Sequence, residues 1–74
     1  MTLHQFKQLD EKEQAEAIWK GVHVDVRDDG IYTISLYNVD SFYVEVYYNK
    51  QYNLIRKFEA FDESQLMLYS DRKN

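Results

Sequence analysis

The stretch Ser41-Phe42-Tyr43-Val44-Glu45-Val46-Tyr47-Tyr48 limits the fold more than any other part of the chain. Aromatic and β-branched residues fill it, which is strand composition, and strand side chains alternate between the two sides of a sheet. Phe42, Val44, Val46 and Tyr48 therefore share one side, and Tyr43, Glu45 and Tyr47 the other. The first set is apolar and belongs to a core, whereas the second sets a carboxylate between two amphipathic rings and suits an outer face. A slip of one residue would bury Glu45. A run with a single charge would aggregate if left on an edge, so this strand is expected in the middle of an antiparallel sheet.

Its neighbours in sequence supply the rest of that sheet. Val22-His23-Val24-Asp25-Val26-Arg27 alternates apolar with polar residues, so the three valines are expected to point inward. Asp28-Asp29-Gly30 follows as a turn. A two-residue Asp29-Gly30 turn would set Val26 against Thr33, whereas a three-residue loop sets Val26, Val24 and Val22 against Tyr32, Ile34 and Leu36, and matching of faces favours the second. The strand from Ile31 to Tyr37 then returns through Asn38-Val39-Asp40-Ser41 in a register that is expected to put Leu36, Ile34 and Tyr32 on the core side, with Tyr37 outside beside Tyr43 and Tyr47. A polar turn around Asn49 to Asn53 leads into Leu54 to Phe61. With Tyr48 opposite Leu54, Phe58 falls near Val44, Ala60 near Phe42, and Glu45 meets Lys57. Arg56 alone misfits this pattern, which predicts a bulge or an edge position there.

Both ends of the chain read as helical. Thr2 with Gln5 and Asp10 with Glu13 are two capping boxes, opening one short helix with Leu3, Phe6 and Leu9 on a side and a second that turns Ala15, Ile18 and Trp19 inward and stops before Gly21. The acids Asp10, Glu11 and Glu13 suit the positive end of the second helix's dipole. Asp62-x-x-Gln65 predicts a short C-terminal helix through Tyr69, with Ser70 to Asn74 fraying. The expected architecture is α+β: two short N-terminal helices, a four-stranded antiparallel β-meander and a short C-terminal helix, with helices packed on one sheet face. With 74 residues there is room for one small domain, spanning 1–74, and its core is modest.

Composition narrows the function classes. A net charge of −4 and a pI near 5.0 disfavour nucleic acid and anionic membranes as partners, because a basic stripe normally supplies that affinity. No stretch approaches the roughly twenty apolar residues of a membrane span, and no secretory leader is legible, so no membrane is expected. The absence of cysteine removes disulfides and thiolate metal sites and points to a reducing, cytoplasmic setting.

The ordered pattern Ile18-Trp19-x-x-Val22, Leu36-Tyr37, Ser41 to Tyr48, and Asn53-x-Ile55-Arg56 with Phe58 resembles a group of short uncharacterised bacterial proteins. The resemblance implies a small stand-alone protein and transfers no functional residue. Chemistry must therefore be sought in the residues themselves. His23 near Ser35 and Asp25 near Glu45 are the nearest approach to catalytic pairs, but no oxyanion loop, third orienting residue or metal-ligand spacing accompanies them. No catalytic residue, metal or cofactor is expected. The outer sheet face is the candidate site, an interaction face of Tyr37, Tyr43, Glu45, Tyr47 and Lys57, since tyrosine combines large contact area with a hydroxyl at low entropic cost. A protein partner or self-association would use it. Stacking of unpaired bases on those rings is the alternative, and it requires cations such as Arg27, Arg56 and Lys57 nearby.

Overall fold

The computed structural model describes residues 1–65. Helices α1 (Leu3–Gln8) and α2 (Glu11–Trp19) precede strands β1 (Val22–Asp28), β2 (Tyr32–Val39), β3 (Phe42–Asn49) and β4 (Leu54–Asp62), and a single 3-10 turn, Glu63–Gln65, follows. The strands pair in sequence order as one antiparallel sheet, so the long central strand read from sequence is indeed internal, while β1 and β4 form the edges. Asp62 is the last residue of β4, directly before the 3-10 turn. The remainder of the expected C-terminal helix, residues 66–69, and the expected frayed tail at 70–74 lie outside the described residues.

Both N-terminal helices begin as their capping boxes dictate. Thr2 accepts from the Gln5 amide at 3.1 Å and the Gln5 side chain accepts from the Thr2 amide at 2.8 Å. Asp10 and Glu13 repeat the exchange at 2.8 and 3.4 Å. Each box satisfies two amides that no helical carbonyl can reach. Phe6 and Ile18 then join Val39, Phe42, Val44 and Val46 in one buried cluster, with the Phe6 and Phe42 rings 5.3 Å apart. At the end of α2 the chain passes so close to β2 that a Cβ on Gly21 would stand 2.5 Å from the Asn38 carbonyl oxygen, a separation only glycine permits.

Turn chemistry, not matching of faces, sets the register, and here three expectations are corrected. The first hairpin closes through Asp29 N–H to the Tyr32 carbonyl at 3.1 Å, leaving Gly30 and Ile31 as a two-residue turn with Gly30 at φ +98°. Asp29 Oδ1 accepts from the amides of Ile31 and Tyr32 at 2.9 and 2.7 Å, which fixes that turn one residue later than Asp29-Gly30. Val26 consequently faces Ser35, not Tyr32. The ladder also slips between His23 and Asp25, making Val24 the extra residue of a bulge, and the three valines expected inward are exposed. The second hairpin pairs Val39 with Phe42 around Asp40 (φ 53°), so Leu36 stands opposite Glu45 and Tyr37 opposite Val44. Tyr37 is thus on the Val44 side of the sheet, while Ile34 and Leu36 are buried on the other.

In the last hairpin Phe58 and Ala60 keep the expected face, two residues along, opposite Val46 and Val44. The misfit is resolved by a bulge: Lys57 pairs with Tyr47 and Ile55 with Tyr48, so Arg56 has no rung of its own and its side chain is exposed. The turn itself is built by Asn49, whose side-chain oxygen accepts from the Gln51 and Tyr52 amides at 2.9 Å each, and by Asn53 at φ 59°, which receives the Tyr48 hydroxyl.

Candidate functional site

Two surfaces compete for a functional role. The first is the face anticipated from sequence, and it carries Tyr43, Glu45, Tyr47 and Lys57, while Tyr37 sits on the opposite side. Strand pairing lays this face out in rows across the sheet: Arg27, Ile34, Tyr47 and Lys57 in one, Asp25, Leu36, Glu45 and Glu59 in the next. Glu45 is only 2 % exposed, where an outer position had been expected. Its burial follows from the register, because the apolar Leu36 is its cross-strand neighbour and Glu59, not Lys57, flanks it on β4.

A buried carboxylate needs a counter-charge and hydrogen bonds. Arg27 reaches across Ile34 to place Nη2 3.0 Å from Glu45 Oε2, and the Tyr47 hydroxyl donates to Glu45 Oε1 at 3.4 Å. Tyr47 in turn lies edge-on to Tyr32, ring centres 5.9 Å apart, beneath the Lys57 ammonium, 4.7 Å from its ring centre. Partial burial and then the Glu45 charge raise the Tyr47 hydroxyl's pKa above the usual tyrosine value. Lys57 Nζ also holds Glu59 at 3.0 Å, and that bond raises the lysine's own pKa. Tyr43 stacks on Phe61 at 6.0 Å and packs with Leu36. The polar heads in the centre of this face are therefore committed to one another.

This geometry offers little to a reaction. Asp25 and Glu45 lie in one row with Leu36 between them, and the Asp25 carboxylate accepts from the Val26 amide at 2.8 Å. His23 stands opposite Tyr37, ring centres 5.1 Å apart, and Ser35 opposite Val26, so the His-Ser neighbourhood read from sequence does not form. Among the described residues no group of three histidine, cysteine or acidic side chains could hold a metal ion. No helix among them is long and apolar enough to cross a membrane.

The second surface escaped the sequence reading. Val22, Val24 and Val26 on β1 are 65 %, 50 % and 50 % exposed, and Trp19, expected to plug the core, is 52 % exposed with its ring edge-on to Tyr37 at 5.7 Å. Beside them a cleft of about 420 Å³ opens where Lys20, Gly21 and Val22 pass Asn38 and Asp40. The only sequence signal for this surface was the glycine at position 30: as the first central residue of a two-residue turn it shifts Val26 from Tyr32 to Ser35. Compared with protein-family models, with curated proteins and with solved structures, the chain has no match.

Proposed function

We propose that this chain is a non-catalytic protein-interaction module whose docking surface is the β1 edge, with Trp19, Val22, Val24 and Val26, in place of the tyrosine face of Tyr37, Tyr43, Glu45, Tyr47 and Lys57. One observation carries this reading: four large apolar side chains on or beside a single edge strand are each half or more exposed. Isolated exposed valines are ordinary, but four large apolar side chains exposed along one edge of so small a domain suit an interaction site. Phe6 of α1 and Ile18 of α2 are buried with Val44, and β1 has a strand neighbour on one side only within the sheet, which supports strand addition at that edge. The tyrosine face gives less support, because Glu45, Tyr47 and Lys57 spend their polar groups on neighbours. Base stacking has less support still, since Arg27, Lys50 and Lys57 each hold a carboxylate. A cysteine-free module of this kind suits a reducing, cytoplasmic setting.

Immobilised wild-type protein and its Val26→Lys and Trp19→Ala variants, checked by circular dichroism for an unchanged fold, test the reading. Proteins retained by the wild type and lost from both variants are expected. Identical retention by all three overturns it.

A further inference from the structure

We infer that Asp29-Gly30 is a gated modification site: its peptide link rearranges to isoaspartate only in chains whose first hairpin has opened, and the product no longer closes that hairpin in the native register. The two glycines follow Lys20 and Asp29, so this is the one aspartyl-glycine step in the sequence. Glycine favours cyclisation there, because no Cβ obstructs the approach of its nitrogen to the aspartyl Cγ. In the first step the Gly30 nitrogen bonds to Asp29 Cγ, the amide hydrogen and the carboxyl hydroxyl leave together as water, and a five-membered succinimide remains. Water then adds at the Asp29 main-chain carbonyl and breaks its bond to the Gly30 nitrogen, so the chain now runs through Cβ and Cγ. Nothing is oxidised or reduced, and one water enters for the one that left.

The closed hairpin withholds both reacting groups. Asp29 Oδ1 accepts from the amides of Ile31 and Tyr32 at 2.9 and 2.7 Å, which commits the carboxylate to residues beyond Gly30. The Gly30 amide donates to Asp28 Oδ1 at 2.7 Å, and Lys50 Nζ grips both oxygens of that carboxylate at 2.8 and 2.7 Å. Bonds from the Tyr32 and then the Ile31 amide also hold the Asp29 carboxyl below its ordinary pKa, so it stays a carboxylate with no hydroxyl to lose. Cyclisation must therefore wait until these bonds and the Asp29-to-Tyr32 rung are broken.

Strand β1 is placed to open locally. It pairs on one side only, and Val22, Val24 and Val26 are already half or more in water, so detaching it uncovers little new apolar surface. Reclosure after the rearrangement fails on length. The main chain gains a carbon between Asp29 and Gly30, and the carboxylate left on Cα is one carbon shorter, so the bonds to Ile31 and Tyr32 cannot be remade together with the rung. Val26 then loses its place opposite Ser35, and the buried Glu45 loses the guanidinium of Arg27. A modified chain keeps a permanent record that this hairpin once opened.

The test incubates the full chain in neutral buffer and in guanidinium chloride that unfolds it, locating isoaspartate by peptide mapping and by methylation with an isoaspartyl methyltransferase. Isoaspartate should form at residue 29 at least about tenfold faster in denaturant. Asp28→Ala, with an unchanged circular dichroism spectrum, removes the acceptor of the Gly30 amide and should form it several-fold faster than wild type in buffer. Purified isoaspartyl chains, returned to buffer, should exchange their β1 amides several-fold faster than unmodified ones. Equal rates in buffer and denaturant, or no isoaspartate at residue 29 in either, overturn the gate. Asp28→Ala at the wild-type rate overturns the hold on the Gly30 amide, and isoaspartyl chains with unchanged exchange overturn the loss of register.

Discussion

The two faces of the sheet bury comparable apolar side chains by different means. On one, Phe42, Val44 and Val46 meet Phe6 and Ile18, and no charged side chain shares that cluster. On the other, Ile34 and Leu36 are just as inaccessible, yet their rows include Glu45, held by Arg27 and Tyr47. Strand β3 serves both. The lesson is that a sheet four strands wide can hide its second face with side chains alone, provided the long ones lie across it and pair their ends. The first face depends on shape, and the second on charge balance.

Substitutions separate these dependences. Phe42→Ala should cost the most, about 3–5 kcal/mol in urea unfolding, because it removes the ring that Phe6 packs on and leaves a cavity in the buried cluster. Glu45→Ala should cost about 2–3 kcal/mol, less than a fully buried pair would, since the Arg27 side chain keeps about a third of its surface in water. The double change Glu45→Leu with Arg27→Met should recover most of that loss by turning the second face into a copy of the first; a double variant as unstable as the single one would erase the distinction drawn here. Asp10→Ala should cost about 1 kcal/mol through α2, which delivers Ile18 to the first face and nothing to the second.

The smallest effect belongs to acid. Amides of Tyr32 and Ile31 hold the Asp29 carboxyl below its ordinary pKa, and a hydrogen bond from Lys50, then the Gly30 amide, does the same for Asp28. Folded values lower than unfolded ones mean that the stabilisation is complete above the unfolded carboxylate range and fades as pH falls through the folded value. Asp29→Asn should therefore flatten the stability profile below about pH 4 and leave the profile at pH 7 to 8 parallel to wild type. An acid limb as steep as before would mean that this turn does not hold the first hairpin in register.

Much of this arrangement was legible because it is local. Capping boxes state their own geometry within four residues, and both helices start where Thr2 and Asp10 predict. The composition of Phe42 to Tyr48 announced a central strand, and Arg56 announced its bulge by breaking an alternation. The faces of β1 and β2 were not legible, since β2 carries apolar residues at each parity, the clean alternation of β1 does not say which side is covered, and a one-residue choice at Gly30 or Asp40 reverses every side chain beyond it. That parity also moved the candidate site. Tyr37 left the tyrosine face, Glu45 went under it, and the valines read as core became the exposed edge.

The pairing of each strand only with its immediate successor has a kinetic meaning. Every sheet contact closes a loop little longer than its turn, so the entropy lost before the first rewarding contact is small, and hairpins can zip outward from Gly30 and Asp40 without waiting for distant segments to meet. With no proline in the chain, no slow peptide-bond isomerisation divides the population on the way. Newly made copies accordingly spend little time with the Phe42 to Tyr48 segment uncovered, which is when a segment of that composition would be most exposed to misassembly.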